Sequence, residues 1–191
     1  MTMLITILLV ALLLVVVGPI WLTWSSYNRI MALDSRCDTA LADIDVNLKH
    51  RHNLLPGLIE TVRGFATHES EAINKVTQAR AAALKASSPA MRLEAEQQLG
   101  QSINTMLSVA EAYPELKASG HFRDLAAQLA DTENRVTASR RFYNLAVEEY
   151  NTSIRQFPGS QIAQRRRLST RRPFDLGVER ILLDEPVAVN F

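Results

Sequence analysis

A chain of 191 residues with 21 Lys+Arg against 20 Asp+Glu supports one ordinary domain with an anchor or a tail, and its net charge of +1 excludes a strongly basic nucleic-acid binder. A single cysteine, Cys37, excludes an intramolecular disulfide framework and any cysteine-rich zinc or iron–sulfur site. Abundant Ala, Leu, Arg, Glu and Gln, with seven Gly and seven Pro, favour helix over sheet.

No charged side chain precedes Arg29, and Met3 to Trp24 is apolar apart from Thr6 and Thr23. Crossing a hydrocarbon core takes about 20 apolar residues, so residues 1–26 are expected to form a transmembrane anchor. Trp21, Trp24 and Tyr27 cluster at its far end, where amphipathic rings favour the membrane interface. A cleaved signal peptide fits less well, because Lys and Arg are missing from its start and no A-x-A site follows. Arg29 and Arg36 follow the span and nothing basic but the terminal amine precedes it, so the positive-inside rule places the C-terminal part in the cytoplasm.

Residues 27–158 read as a helical body. Ile30, Leu33, Cys37, Leu41, Ile44 and Leu48 recur at steps of three or four, predicting a helix over about 26–52. Asn53 is a suitable N-cap for a second helix with Pro56 in its first turn, running to about Ser87 through Leu58, Val62, Phe65, Ile73, Val76, Ala79 and Ala83. Ser88–Pro89 opens a third, carrying Leu99, Ile103, Met106, Ala110 and Tyr113, which Pro114 ends. His121 to Phe157 holds 37 residues with neither Gly nor Pro. Its seam of Phe122, Leu125, Leu129, Thr132, Val136, Ser139, Tyr143, Ala146 and Tyr150 is heptad-like. Long helices joined by short breaks predict an all-α, antiparallel up-and-down four-helix bundle with coiled-coil-like packing. LADIDVNLK alternates like a strand, but the helical spacing on both sides keeps it helical.

Chemistry is sparse. Asp43, Asp45 and Asn47 open a calcium loop that then meets Leu48 and Leu54 where Gly and Glu are required. The Glu-x-x-His pairs of a di-iron bundle are absent, and His50 and His52 diverge by about 200 degrees on a helix. All four histidines (His50, His52, His68 and His121) are expected to be solvated or to satisfy local hydrogen bonds. Cys37 lies on an apolar face and reads as packing. The polar run Glu133, Asn134, Arg140, Asn144, Glu148, Glu149 and Asn151 reads as a mixture of solvated face and buried, register-fixing network. No catalytic residue, cofactor or metal site is expected. Were there an unrecognised enzyme, substituting Glu60, His68 or Glu69 would abolish function with the fold intact.

Residues 159–191 are expected to form an irregular, arginine-rich tail. Arg165, Arg166, Arg167, Arg171 and Arg172 precede the acidic Asp175, Glu179, Asp184 and Glu185. From Tyr27 to Ser160 there are 15 basic and 16 acidic residues, net −1; from Gln161 on there are 6 and 4, net +2. The five arginines can contact anionic lipid headgroups or phosphates, dock an acidic partner, or remain a solvated linker. The final PVAVNF is short, apolar and alternating, like a peptide that adds a strand or packs on a neighbour.

The span, then SSYNRIMALDSRCDTALADIDVNLKHRHNLLPGLIETVRGFATHESEAINKVTQAR, then DTENRVTASRRFYNLAVEEYNTSIRQFP closely resembles the LemA family from the anchor to Pro158. The most specific parts are Asp43–Glu69 and Thr132–Asn151. The resemblance implies a single-pass bacterial membrane protein whose long helical bundle faces the cytoplasm, and a magnetosome-associated relative points to membrane organisation. Gln164–Arg172 is less hydrophobic than the family's segment after its F-P motif. Together these readings predict a membrane-anchored scaffold that forms a homo-oligomer and contacts the lipid bilayer and a membrane protein partner, with no nucleic acid. The alternative is a regulatory adaptor for a membrane enzyme such as a protease.

Overall fold

The computed structural model describes residues 2–66 and 68–174. Its elements are all helical: α1 (Thr2–Phe65), α2 (Ser70–Lys85), α3 (Pro89–Ala112), α4 (Pro114–Ala118), α5 (Gly120–Arg155) and α6 (Gly159–Arg166). They divide into two compact units, Asp45–Thr137 and the remainder, with α1 and α5 supplying a stretch to each.

The Asp45–Thr137 unit is a four-helix bundle, and its cross-links fix the helix directions. Arg51 on α1 meets Glu96 on α3, and Tyr113 just after α3 meets Glu69 just after α1, so these two helices run the same way. Arg51 also meets Glu133 while Gly57 faces Leu125, so α5 descends as α1 ascends. Arg80 reaches the carbonyl of His52, which makes α2 antiparallel to α1. The predicted up-and-down arrangement is therefore present, filled by Leu55, Leu58, Val62, Val76, Leu99 and Met106, all fully buried. Each such side chain contributes about 1.5–3 kcal/mol by leaving water.

The break between the first two helices is not where the sequence places it. Asn53 is no N-cap; α1 runs through Pro56–Gly57 and ends at Phe65. Proline has no N–H, so inside a helix it leaves the carbonyl four residues earlier without its partner. That carbonyl is His52 O, and Arg80 Nε donates to it at 3.2 Å. A side chain 28 residues away thus satisfies what Pro56 cannot. At the next junction the expectation holds: Ser88 caps α3, its hydroxyl accepting from the Met91 N–H at 3.3 Å, with Pro89 opening the helix.

In the other unit, Ile30, Leu33, Cys37, Ala40 and Ile44 of α1 are buried, as are Tyr143, Ala146, Val147, Tyr150 and Ile154 of α5. Leu41, expected inside, is exposed and Ala40 is buried instead; Phe65, likewise expected inside, is exposed in the bundle unit. The tail expected to be irregular from residue 159 begins as α6. Gln, Ile, Ala and Arg all tolerate a helix, and Arg165 and Arg166 sit in the last turn, where the helix dipole favours cations. Gly159 is buried where α6 passes α5: a Cβ there would lie 2.1 Å from the Ser153 carbonyl oxygen. Gly159→Ala is expected to cost about 1–3 kcal/mol through this overlap and to undock α6. Faster tryptic cleavage at Arg165–Arg167, with helicity elsewhere unchanged, is the measurement.

The expected membrane anchor forms the first turns of α1. Met1 and many side chains between Thr2 and Leu14 lie outside the described residues. Among the described residues, no helix is long and apolar enough to cross a membrane. The acidic residues from Asp175 on and the PVAVNF end also lie outside the described residues.

Candidate functional site

Two polar constellations stand out, one in each unit. In the bundle, the Arg51 side chain is 2% exposed and pairs with two carboxylates: Glu96, equally buried, and Glu133 at 2.5 Å, which is half exposed. Glu96 also receives His52 Nε2 at 2.8 Å. With Arg80 on the His52 carbonyl, four helices are tied at one level. Burial pushes the Glu96 carboxyl up, but the His52 hydrogen bond and the Arg51 guanidinium outweigh it and hold the group below its ordinary value. Among the described residues, Arg51 Nε and His52 Nδ1 are buried without a hydrogen-bond partner. The cluster thus joins charged and hydrogen-bonded groups from four helices, with Arg51, His52 and Glu96 all buried. His52 was expected to be solvated or locally bonded, yet its partner lies 44 residues away.

The second constellation holds the segment after α6. Arg167 ends that helix in the left-handed conformation, φ 55°. The chain then returns along α5. Asn151 Nδ2 donates to Arg171 O at 2.9 Å while its Oδ1 accepts from the Arg171 N–H at 2.9 Å. Asn144 repeats this with Phe174, at 3.0 and 2.7 Å. Tyr150 and Tyr143 hydroxyls donate to Ser169 O at 3.3 Å and Arg172 O at 3.2 Å. The sequence carries this as one dipeptide, Tyr-Asn, repeated seven residues on. Seven helical residues rise about 10.5 Å, and three extended residues cover about 10 Å. Each step of seven along α5 therefore matches a step of three along the segment, from 169 to 172 and from 171 to 174. Pro173 favours the extended form for Arg172 before it.

Two side chains add selectivity to this backbone clamp. Arg171 forks onto Asp34 at 2.7 Å and Asp38 at 2.6 Å, one helical turn apart on α1, and its guanidinium lies 5.8 Å from the Tyr150 ring centre. The Asp38 hydrogen bond, partly opposed by burial and aided by Asp34, raises the Arg171 pKa further. Phe174 meets Tyr143 edge-on at 6.0 Å with Arg140 over its ring at 5.6 Å. Burial pushes up both tyrosine hydroxyls, so they remain neutral donors. Arg171→Ala leaves two aspartates facing each other and is expected to cost about 1–3 kcal/mol locally. Faster amide hydrogen exchange over 168–174 would register it.

The five predicted arginines are thus divided. Arg171 is committed inside the chain, whereas Arg165, Arg166, Arg167 and Arg172 are exposed, Arg166 lying 5.4 Å from the Tyr27 ring centre. Trp21 and Trp24 are exposed and Tyr27 is half-buried. Glu60 and His68 are exposed, and Glu69 accepts from Tyr113 Oη at 3.1 Å. Cys37 is buried, its thiol pushed up chiefly by that burial. Among the described residues, no group of three or more His, Cys, Asp or Glu is placed to hold a metal ion.

A family model described as the LemA family matches residues 40–191. Protein LemA of Metamycoplasma hominis is 25% identical over 142 residues, covering 72% of this chain and 64% of the relative. Magnetosome protein MamQ 2 of Paramagnetospirillum magneticum is 27% identical over 71 residues, and MamQ of Magnetospirillum gryphiswaldense 24% over the same length. These matches cover 37% of this chain and 26% of each magnetosome protein. The chain thus spans under two thirds of the length of these relatives. None of their names is that of an enzyme.

Proposed function

From the premise that the chain belongs to the LemA family, we propose that it is a membrane-anchored helical scaffold that self-associates and organises protein contacts at a bacterial membrane. One observation carries the reading. Val15, Val16 and Val17 follow one another around α1 and are all at least half exposed, as are Leu13, Ile20, Trp21, Leu22 and Trp24. A helix that packs on protein buries a stripe; one that is apolar on every side calls for lipid. The magnetosome names among the relatives fit a membrane setting.

The reading gives the arginines a task. Between Tyr150 and Phe174 there are six arginines and no acidic residue. Arg166 stacks on Tyr27, three residues beyond Trp24, which supports a role for it and the adjacent Arg165 and Arg167 in contacting anionic headgroups. Arg29 and Arg36, just beyond the span, support a cytoplasmic side for the chain after it under the positive-inside rule. The role needs no chemistry of its own, and we assign no catalytic residue or cofactor.

The test is extraction of the full chain in native lipid particles, followed by mass and composition measurement. A defined homo-oligomer is the expected result. A monomer with one recurring partner would replace the scaffold with a regulatory adaptor for a membrane enzyme. Release of the chain into the soluble fraction by carbonate would remove the anchor itself.

A further inference from the structure

We propose that Tyr143, Asn144, Tyr150 and Asn151, with Asp34 and Asp38, form a binding site for an extended peptide carrying an arginine three residues before an aromatic, and that its occupant in the assembled state is the 169–174 segment of a second copy of this chain. The proposal rests on the self-association reading and gives it a route.

Most of the recognition is blind to which copy supplies the peptide. Asn144 and Asn151 each bond both the N–H and the carbonyl of one residue, and both tyrosines bond carbonyls. Among the described residues, two side chains are read: Arg171 by the two aspartates, and Phe174 by Tyr143 and Arg140. An identical segment from a neighbour satisfies every one of these contacts, so exchange loses none of them. This is the condition under which identical elements swap between protomers.

The hinge is also present. Arg167 adopts φ 55°, a conformation an L side chain rarely takes and glycine would take freely. Returning it to ordinary backbone geometry relieves this and throws residues 168–174 outward, a reach of about 23 Å at 3.3 Å per residue. Confinement of copies to one membrane raises the concentration at which each segment meets a neighbour's clamp. Reciprocal exchange closes a two-fold pair; one-way exchange builds an open chain.

The test uses two full-length variants carrying different tags, co-expressed and purified in lipid particles. One has a blind clamp, Asn144→Ala with Asn151→Ala; the other has a blind segment, Arg171→Glu with Phe174→Ala. The mixed pair retains one working clamp and one working segment on separate copies. It is expected to co-purify as the unaltered pair does, while each variant paired with itself falls by about tenfold, the scale of one lost charged contact. An excess of the synthetic peptide Leu168–Phe174 should release the partner, and circular dichroism should show unchanged helicity. Equal co-purification of all pairings would leave self-association standing and overturn segment exchange. Failure of even the unaltered pair would overturn the self-association reading as well. A peptide that binds tightly to copies that never co-purify would assign the clamp to a foreign tail and overturn the second copy as occupant.

Discussion

In the full chain held in lipid particles, Glu96→Ala is expected to speed amide exchange across the core of the Asp45–Thr137 unit by roughly 100- to 5,000-fold. That factor corresponds to about 3–5 kcal/mol, the cost of leaving one member of a buried ion pair without its partner. The Arg51 guanidinium cannot reach water at 2% exposure. Glu133 remains as a partner, but half of it is solvated and it sits on the other side of the guanidinium. Replacing both charges, Arg51→Met with Glu96→Leu, should recover most of the loss, because it removes the stranded charge as well as the bond. A single variant that costs under about 1 kcal/mol would mean that Arg51 is not confined as described. The pH response has a definite sign. The folded state holds the Glu96 carboxyl below its ordinary value of 4.5, although burial alone would raise it. Its stabilisation is therefore complete above that value and is lost as pH falls through the lowered one. Glu96→Ala should flatten that acid-side loss.

The second large effect couples Pro56 to Arg80. Arg80→Ala should cost about 1–3 kcal/mol, because it strands the His52 carbonyl. Pro56→Ala returns an N–H to the same carbonyl and removes a residue that costs about 3 kcal/mol in a helix interior. Part of that is offset by the looser unfolded chain, so a net gain of about 1–2 kcal/mol is expected. In the Pro56→Ala background, Arg80→Ala should then cost little. The two changes must be non-additive by about 1 kcal/mol or more, which exchange rates on all four proteins will measure. Additive behaviour would show that Arg80 is not the substitute donor.

Periodicity made the long helices legible. Of the nine seam positions read on α5, eight are buried, and Ser139 alone is half-buried. The Ser88–Pro89 start is local chemistry and was legible for that reason. What escaped depends on distant partners. Pro56 signals a break by every local rule, yet the helix passes through it with Arg80 bonded to the carbonyl it frees. Leu41 and Ala40 are both apolar, and which of them faces inward is set by the tertiary register. His52 lacked a carboxylate at metal-ligand spacing because its partner lies on another helix. The clamp had a visible trace, the Tyr-Asn dipeptide at an interval of seven, but its meaning required the segment it grips. The tyrosines read as core and the asparagines as part of a polar run, and both descriptions hold without revealing a binding register.

The unbroken course of α1 has a mechanical meaning. Within the Asp45–Thr137 unit it runs from Asp45 to Phe65, a length of about 32 Å along which a twist is carried by consecutive hydrogen bonds. Between Asp45 and Phe65 the single proline is Pro56, where one of those bonds is missing and Arg80 supplies a replacement from outside. Torsional compliance is concentrated at that position. A force strong enough to pull Arg80 away would soften the shaft there while leaving the rest of it stiff.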